Sequence, residues 1–197
     1  MNSPQSPIPR QRLHQGVVKK SDKILASEAQ GTPSAFAELY RRHLTNVYRY
    51  LFSRVGNVDD AQDLTTQTFL AAKESIASYQ GRGSFAAWLM GIARRKAVDR
   101  FRRRRKTVSL TVVEQLSSSE PPMEEKIDRQ LRLEVIAKNL NNLTPERAEA
   151  ISLRIFAGLS TTEVSQVMDK SEAAVKMLIH RAVKDLHQCL ATDTRKE

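Results

Sequence analysis

Residues 84–106 read SFAAWLMGIARRKAVDRFRRRRK, a stretch that changes character halfway along. Its start predicts an amphipathic helix, because Ser84 is a residue type that caps helix N-termini and an apolar run follows at once. The apolar residues recur at helical spacing and predict one buried face: Phe85, Trp88, Leu89, Ile92 and Ala93. We therefore expect the first half of this helix to be anchored in a core.

The second half of the same stretch is strongly cationic. Residues 94–106 contain nine Lys and Arg and one acid, Asp99, so a net +8 lies here in a chain whose total is +10. A helix anchored at one end and cationic at the other suits a polyphosphate partner. A solvated charge run or a localisation signal is the usual alternative for Arg-rich segments. It is less favoured here, because the charges continue a helix that contains Phe85 and Trp88.

Composition limits the class of protein. The 197 residues are 40% hydrophobic and 27% charged, strand-like alternation is nearly absent, and we expect an all-α fold. The isoelectric point near 10.0 points to nucleic acid, or less often to an anionic membrane surface. The longest apolar run, 85–93, is too short to cross a bilayer, and the N-terminus lacks a signal peptide's apolar core. We expect no membrane insertion and a cytoplasmic location.

Charge also divides the chain. Residues 33–106 carry a net +9 and residues 107–125 a net −4, and this reversal suggests a boundary. The first 32 residues predict a disordered basic tail, in which 21–29 could form a short helix. The chain thus predicts two small helical domains joined by a flexible acidic linker, with these limits: domains 33–106 and 126–190, linker 107–125, and tails 1–32 and 191–197. The linker is either a passive tether or an extended acidic segment that lies in a partner's basic groove.

Helix start and stop signals place the elements. Thr32-Pro33 starts a helix that Gly56 ends, and Asn57 caps the next one, over about 58–78. In the second domain we expect helices over 124–142 and 145–156.

The end of the second domain predicts a helix-turn-helix. Ser160 and Glu163 have capping-box spacing, Asp169-Lys170-Ser171 breaks the short helix that follows, and Ser171 caps a longer one. The outer face of that longer helix could enter a major groove. A plain helical hairpin in a bundle is the alternative, which the cationic helix elsewhere in the chain makes less favoured.

Three segments, in order, resemble bacterial RNA polymerase sigma factors of the extracytoplasmic-function group. DAQDLTTQTFLAAKE (60–74) resembles the family segment that docks on the clamp coiled coil of core polymerase, and 85–106 resembles the segment that melts and reads the −10 promoter element. Residues 143–186 resemble the domain that reads the −35 element. The resemblance implies a promoter-directing initiation factor without enzymatic activity. Its implied partners are core polymerase (clamp coiled coil and flap) and promoter DNA, both duplex and opened. The Arg-rich end of the first domain could also serve an anti-sigma protein.

The resemblance assigns site residues. For core polymerase these are Asp60, Asp63, Leu64, Gln67 and Phe69. For the −10 element they are Tyr79, Trp88, Arg94, Arg95, Lys96, Arg100, Arg102 and Arg103, where Tyr79, Phe85 and Trp88 are candidate stacking platforms for unpaired bases. A lone Trp at helical spacing is more often a core residue. For the −35 element they are Ser171, Glu172, Ala173, Lys176, Met177, His180 and Arg181.

The chain departs from the family pattern at two places. Asp169 stands where the turn usually has glycine, and we expect Asp to tolerate the left-handed backbone at some cost. Arg95-Lys96 replaces the family's small polar residue and leucine, which bears on promoter preference.

Two other classes of function compete. A helix-turn-helix repressor or activator would act without polymerase and would not need residues 60–74; such proteins usually dimerise on two half-sites. An enzyme acting on nucleic acid is disfavoured, because the four histidines are scattered, no His/Asp/Glu group has metal spacing and no Gly-rich phosphate loop exists. We expect no cofactor and no metal, and the single cysteine, Cys189, excludes an internal disulfide.

Overall fold

In the computed structural model of the chain, the described residues are 20–108, 139–140 and 142–193, and every regular element among them is a helix. The all-α prediction is confirmed. None of the helices in these ranges combines the length and the hydropathy needed to cross a membrane. The predicted linker from 109 onward, with its strand-like alternation, and most of the predicted helix 124–142 lie outside the described residues.

The first half of the chain is a helical domain. It contains α1 (Asp22–Glu28), α2 (Pro33–Val55), α3 (Val58–Glu74), a 3-10 turn (Ile76–Ser78) and α4 (Phe85–Val108). Gly56 ends α2 in a left-handed conformation at φ 67°, and the Asn57 side chain caps α3 by accepting from the Asp60 amide at 2.9 Å. Helix α3 stops at Glu74 rather than continuing to 78 as predicted, because the chain tightens there into the 3-10 turn.

Helix α1 is part of this domain rather than of a tail. Its Leu25 and Ala26 are buried in the core, and its Asp22 carboxylate accepts hydrogen bonds from Arg42 (2.8 Å) and pairs with His43 (2.7 Å) on α2. The first domain therefore extends N-terminal of residue 33, the start that the sequence predicts.

Helix α4 has the anchored beginning that its sequence predicts. The Ser84 hydroxyl accepts from the Ala87 amide at 3.0 Å, so the predicted N-cap is confirmed. Phe85, Leu89, Ile92 and Ala93 are buried and Trp88 is half-buried. The helix continues to Val108, two residues beyond the predicted boundary.

The second half carries the helix-turn-helix. It contains α5 (Pro145–Ile151), which continues as a π-helical turn (Ser152–Phe156), then α6 (Thr161–Met168) and α7 (Glu172–Asp193). The capping box is confirmed: Glu163 donates its amide to the Ser160 hydroxyl (3.2 Å), and its carboxylate accepts from the Ser160 amide (2.7 Å). Ser171 caps α7 by accepting from the Ala174 amide at 3.2 Å.

Asp169 forms the turn between α6 and α7 in a left-handed conformation, at φ 53° and ψ 52°. It is the one residue other than glycine with positive φ in the described part of the chain. The prediction that an aspartate accommodates this turn is confirmed, since the backbone still donates from Lys170 to the Ser165 carbonyl at 3.0 Å.

The two halves pack against each other and share one apolar core. α2 lies against the π-helical turn, and α4 lies against α6. Leu153, Leu159 and Val164 of the second half are fully buried in the same cluster as Leu39 and Leu89 of the first. A smaller second cluster, which includes Leu143, Ile151 and Ala182, stays within the second half.

The left-handed turn gives a stability prediction. Asp169→Gly should raise the free energy of unfolding by about 0.5–1 kcal/mol, because glycine has no Cβ to clash in this conformation, although its unfolded chain is freer. Asp169→Ala should lower it by about 1 kcal/mol, because alanine lacks the short polar group that tolerates the left-handed region. Urea unfolding followed by circular dichroism measures both. A glycine variant no more stable than the alanine variant would show that the backbone is not under strain here.

Candidate functional site

Helix α3 presents a narrow exposed strip. Asp63 is exposed, and its carboxylate accepts a hydrogen bond from the Gln67 amide group one turn later, at 2.7 Å. One further turn along the same face, Leu70 is 56% exposed. The strip therefore combines an acid, an amide and an unburied leucine, and none of these three residues offers a positive charge to a phosphate.

Two residues assigned to polymerase binding do not lie on this strip. Leu64 and Phe69 are buried in the core, where Phe69 stacks against Tyr40 with ring centroids 4.6 Å apart. Both side chains lie on the core face of α3 and are not accessible to a partner in this conformation. Leu70, which the sequence analysis did not single out, shares the exposed face of Asp63 and Gln67, as its helical spacing from them indicates.

Asp60 makes a paired contact with α4. Both of its carboxylate oxygens face the Arg100 guanidinium, at 2.5 Å from Nη2 and 3.2 Å from Nε. This two-point pair fixes the start of α3 against the middle of α4. Asp60, which we predicted to bind polymerase, and Arg100, which we predicted to bind DNA, thus form an ion pair with each other.

The aromatic residues near the start of α4 form a cluster. Tyr79 lies edge-on to Phe85 at 5.5 Å, and Trp88 lies 5.6 Å from Tyr79 and 5.4 Å from Phe85. The Tyr79 hydroxyl donates to the Gly83 carbonyl at 3.1 Å. Burial, together with the Asp22 charge, raises the pKa of Tyr79. Tyr79 and Phe85 are buried here, so Trp88 is the member of the cluster with a partly exposed ring.

Beyond the cluster, α4 exposes its charges. Arg94 and Lys96 are partly exposed, and four more predicted DNA residues are exposed: Arg95, Arg100, Arg102 and Arg103. Ala97 between them is buried, so the helix keeps an apolar seam to the core under a cationic surface. Guanidinium groups arranged along a helix can follow a phosphate backbone.

The outer face of α7 is a third exposed surface, and it carries both charged and apolar side chains. All seven residues assigned to it are exposed: Ser171, Glu172, Ala173, Lys176, Met177, His180 and Arg181. The Thr162 hydroxyl of α6 donates to the Glu172 carboxylate at 2.7 Å, and this hydrogen bond connects the starts of the two helices. Val175 and Ala182 anchor the inner face. The geometry is that of a recognition helix whose first turns are available to base edges.

Family models match both halves of the chain. The model for Sigma-70 region 2 matches residues 39–107, and the model for Sigma-70, region 4 matches residues 133–186. Together the two matches span the exposed strip of α3, the cationic helix α4 and the helix-turn-helix.

Named proteins of known class are similar over most of the chain. The sigma factor BldN of Streptomyces coelicolor is 38% identical over 176 residues, which cover 87% of this chain and 66% of BldN. The sigma factor CnrH of Cupriavidus metallidurans is 30% identical over 186 residues, which cover 89% of this chain and 97% of CnrH.

Solved structures agree in fold. CnrH in complex with the cytosolic domain of CnrY has a TM-score of 0.71 at 28% identity, covering 88% of this chain and 99% of that one. The sigma factor RpoE of Bartonella quintana, solved with the anti-sigma factor NepR, has a TM-score of 0.66 at 24% identity, covering 80% and 98%. The chain belongs to the sigma-70 family of RNA polymerase sigma factors, in its extracytoplasmic-function group.

Proposed function

We propose that this chain is a transcription initiation factor that binds core RNA polymerase and directs it to promoters by reading the −10 and −35 elements. The observation that carries the proposal is the presence of three separate surfaces on one chain: the α3 strip, the cationic face of α4 and the outer face of α7. A repressor needs only the last of these. The match of residues 39–107 to region 2 therefore favours the sigma function over the repressor function.

The first proposed role belongs to α3. Its exposed strip (Asp63, Gln67 and Leu70) docks on the clamp coiled coil, while Leu64 and Phe69 hold the strip in place from the core. Asp60 contributes by positioning, through its pair with Arg100. The second domain would engage the flap. The protein supplies binding and no catalytic chemistry of its own, and it acts in the cytoplasm with the polymerase.

The second proposed role belongs to α4. Unstacking a base costs a few kcal/mol, so contacts to the opened strand must offset that cost. Phosphate contacts come from the exposed arginines. Trp88 is more exposed than Tyr79 and Phe85, so it is the aromatic residue of this cluster best placed to stack on a base. Tyr79 takes part in stacking only if the cluster rearranges on binding.

The third proposed role belongs to α7. Lys176 and its neighbours read base edges in the duplex −35 element, and each good base contact contributes about 1–3 kcal/mol of discrimination.

The proposed domains keep the limits 33–106 and 126–190, except that helix α1 (Asp22–Glu28) is added to the first domain.

A protein inhibitor is part of the proposal. CnrH was solved with the cytosolic domain of CnrY, and RpoE with the anti-sigma factor NepR. By this likeness an anti-sigma factor is a partner of the present chain.

Binding to core polymerase tests the α3 assignment. Leu70→Ser should weaken the affinity for core polymerase about tenfold or more, because burying a leucine in the complex contributes about 1.5–3 kcal/mol. Co-elution at graded protein concentrations measures the change. Asp63→Lys should weaken the affinity by a similar factor, because it replaces a negative charge on the strip with a positive one. Asp99→Lys, a matched reversal of an exposed acid on α4, should leave binding to core polymerase unchanged. The assignment would be contradicted if the parent and the three variants bound core polymerase equally well and had the same helicity.

Base reading and phosphate contact give different signatures on DNA. Lys176→Ala should relax the preference of the holoenzyme at one or two upstream positions. Arg95→Ala should weaken binding to a fork-junction DNA on all sequences and lower the log–log salt slope by about 0.7, the value for one contact to a single strand. Filter binding over a salt series, on matched and mismatched promoters, measures both. A uniform loss for Lys176→Ala would show that it touches only phosphate.

A further inference from the structure

The first two turns of α7 carry apolar side chains at the centre of the exposed face. Val175 and Ala182 are fully buried, so the rotation of the helix about its own axis is fixed. At about 100° per residue, Ala173 and Met177 each lie within about 20° of the direction opposite Val175. Both residues are exposed, Met177 to 52%. The part of these two turns that projects furthest from the core is therefore apolar.

Basic residues flank this apolar centre. Lys176 lies on one side of it and Arg181 on the other, each about 60–80° away around the axis, and both are exposed. His180 and Lys184 continue the outermost line of the helix over the next two turns. A single exposed apolar residue on a protein surface is common and needs no explanation. Met177 differs, because it stands at the centre of a face whose flanks carry positive charge.

The acidic residue of the first turn is engaged to one side. Glu172 lies about 60° around the axis from Val175, and its carboxylate accepts the hydrogen bond from the Thr162 hydroxyl of α6 at 2.7 Å. This contact holds the carboxylate beside the preceding helix and away from the centre of the face. The two side chains at the centre, a methyl group and a thioether, offer no strong hydrogen-bond donor or acceptor.

The chemistry of the major groove limits what such a surface can recognise. Base edges in this groove present hydrogen-bond donors and acceptors, and the apolar group among them is the C5-methyl of thymine. A lysine or an arginine suits the O6 and N7 acceptors of guanine, whereas an apolar side chain gains nothing from them. An apolar centre between basic flanks therefore matches a thymine methyl more closely than any other feature of the groove.

Helix geometry sets the reach of the two apolar residues. Ala173 and Met177 are four positions apart, which separates them by about 6 Å along the axis. Since successive base pairs are about 3.4 Å apart, the two residues face base edges about two pairs apart. Ala173 is short and lets the first turn approach the bases closely, whereas the longer, unbranched Met177 side chain can extend to a methyl group.

We propose that Met177 reads the C5-methyl group of a thymine in the duplex −35 element, and that Ala173 allows the close approach this contact needs. The inference rests on the proposed function of α7 and adds the base that this position selects. Lys176 and Arg181 contact guanine acceptors or phosphates on either side. Thymine is preferred at the contacted position because of its methyl group and not because of a hydrogen bond.

Removing the methyl group from the DNA tests this contact. Holoenzyme formed from core polymerase and the full chain selects duplexes from a library whose −35 region is randomised. In the selected duplex, each thymine of that region is replaced in turn by deoxyuridine, which pairs identically and lacks only the C5-methyl. The parent should lose about fourfold in affinity at one of these thymines, the effect of one hydrocarbon group left out of the contact.

Variants at position 177 identify the residue that reads the methyl group. Met177→Ala should bind the thymine duplex more weakly than the parent does. It should show no further loss with deoxyuridine at the contacted position, because the side chain that meets the methyl group is gone. Met177→Leu should keep the fourfold difference, since leucine is also apolar and of similar volume.

The control is Val183→Ala. Val183 is 40% exposed on the same helix but lies about 100° around the axis from the centre of the face, so this variant should keep the fourfold difference. An equal loss with deoxyuridine in the parent and in Met177→Ala would overturn the inference. So would a selected −35 element in which no thymine is sensitive to deoxyuridine, or a Val183→Ala variant that loses the difference.

A different outcome would count against the proposed function itself. If the holoenzyme forms but selects no −35 sequence, or if no holoenzyme forms, the chain does not read this element with polymerase and the inference falls with that function. Selection of a −35 element without sensitivity to its methyl groups would leave the proposed function standing and overturn the role of Met177 alone.

Discussion

Helix α4 has to satisfy two opposing demands, and the rest of the structure follows from how it does so. One face must be apolar enough to complete the core with α2 and α3, and the other must carry a dense positive charge. The helix separates these along its length and around its axis: Leu89 and Ala93 are fully buried, Ala97 continues the seam, and the arginines between and beyond them face outward. The Asp60–Arg100 pair then fixes the cationic half against α3.

Most of the fold could be predicted from local signals in the sequence. Ser84, Asn57 and the Ser160–Glu163 pair all cap the helices that their residue types predicted, and Asp169 takes the left-handed turn. These features could be predicted because each depends on residues within four positions of one another. Helix α1 was only half anticipated, since its place in the core depends on Asp22 reaching Arg42 and His43 twenty residues away.

The candidate site was predicted less completely, for a physical reason. A family-like segment indicates which helix binds a partner, but burial decides which of its side chains can reach that partner. Leu64 and Phe69 are core residues, whereas Leu70, which the sequence analysis did not single out, is exposed. The contact between Tyr50 and Glu149 joins residues 99 apart in sequence, and no pattern of spacing signals it. Long-range polar contacts of this kind follow from how the two domains pack, which the linear sequence does not display.

The structure thus brings three surfaces together on one chain, in a family whose members direct RNA polymerase to promoters. Transcription in a reconstituted system tests our account of this chain's function most directly. Core RNA polymerase is incubated with a pool of genomic DNA fragments, with and without the protein, and the 5′ ends of the transcripts are mapped. The account predicts new start sites that appear only with the protein and share sequence elements near −10 and −35. No new start site, together with tight and specific binding of the paired duplex by the protein alone, would contradict it.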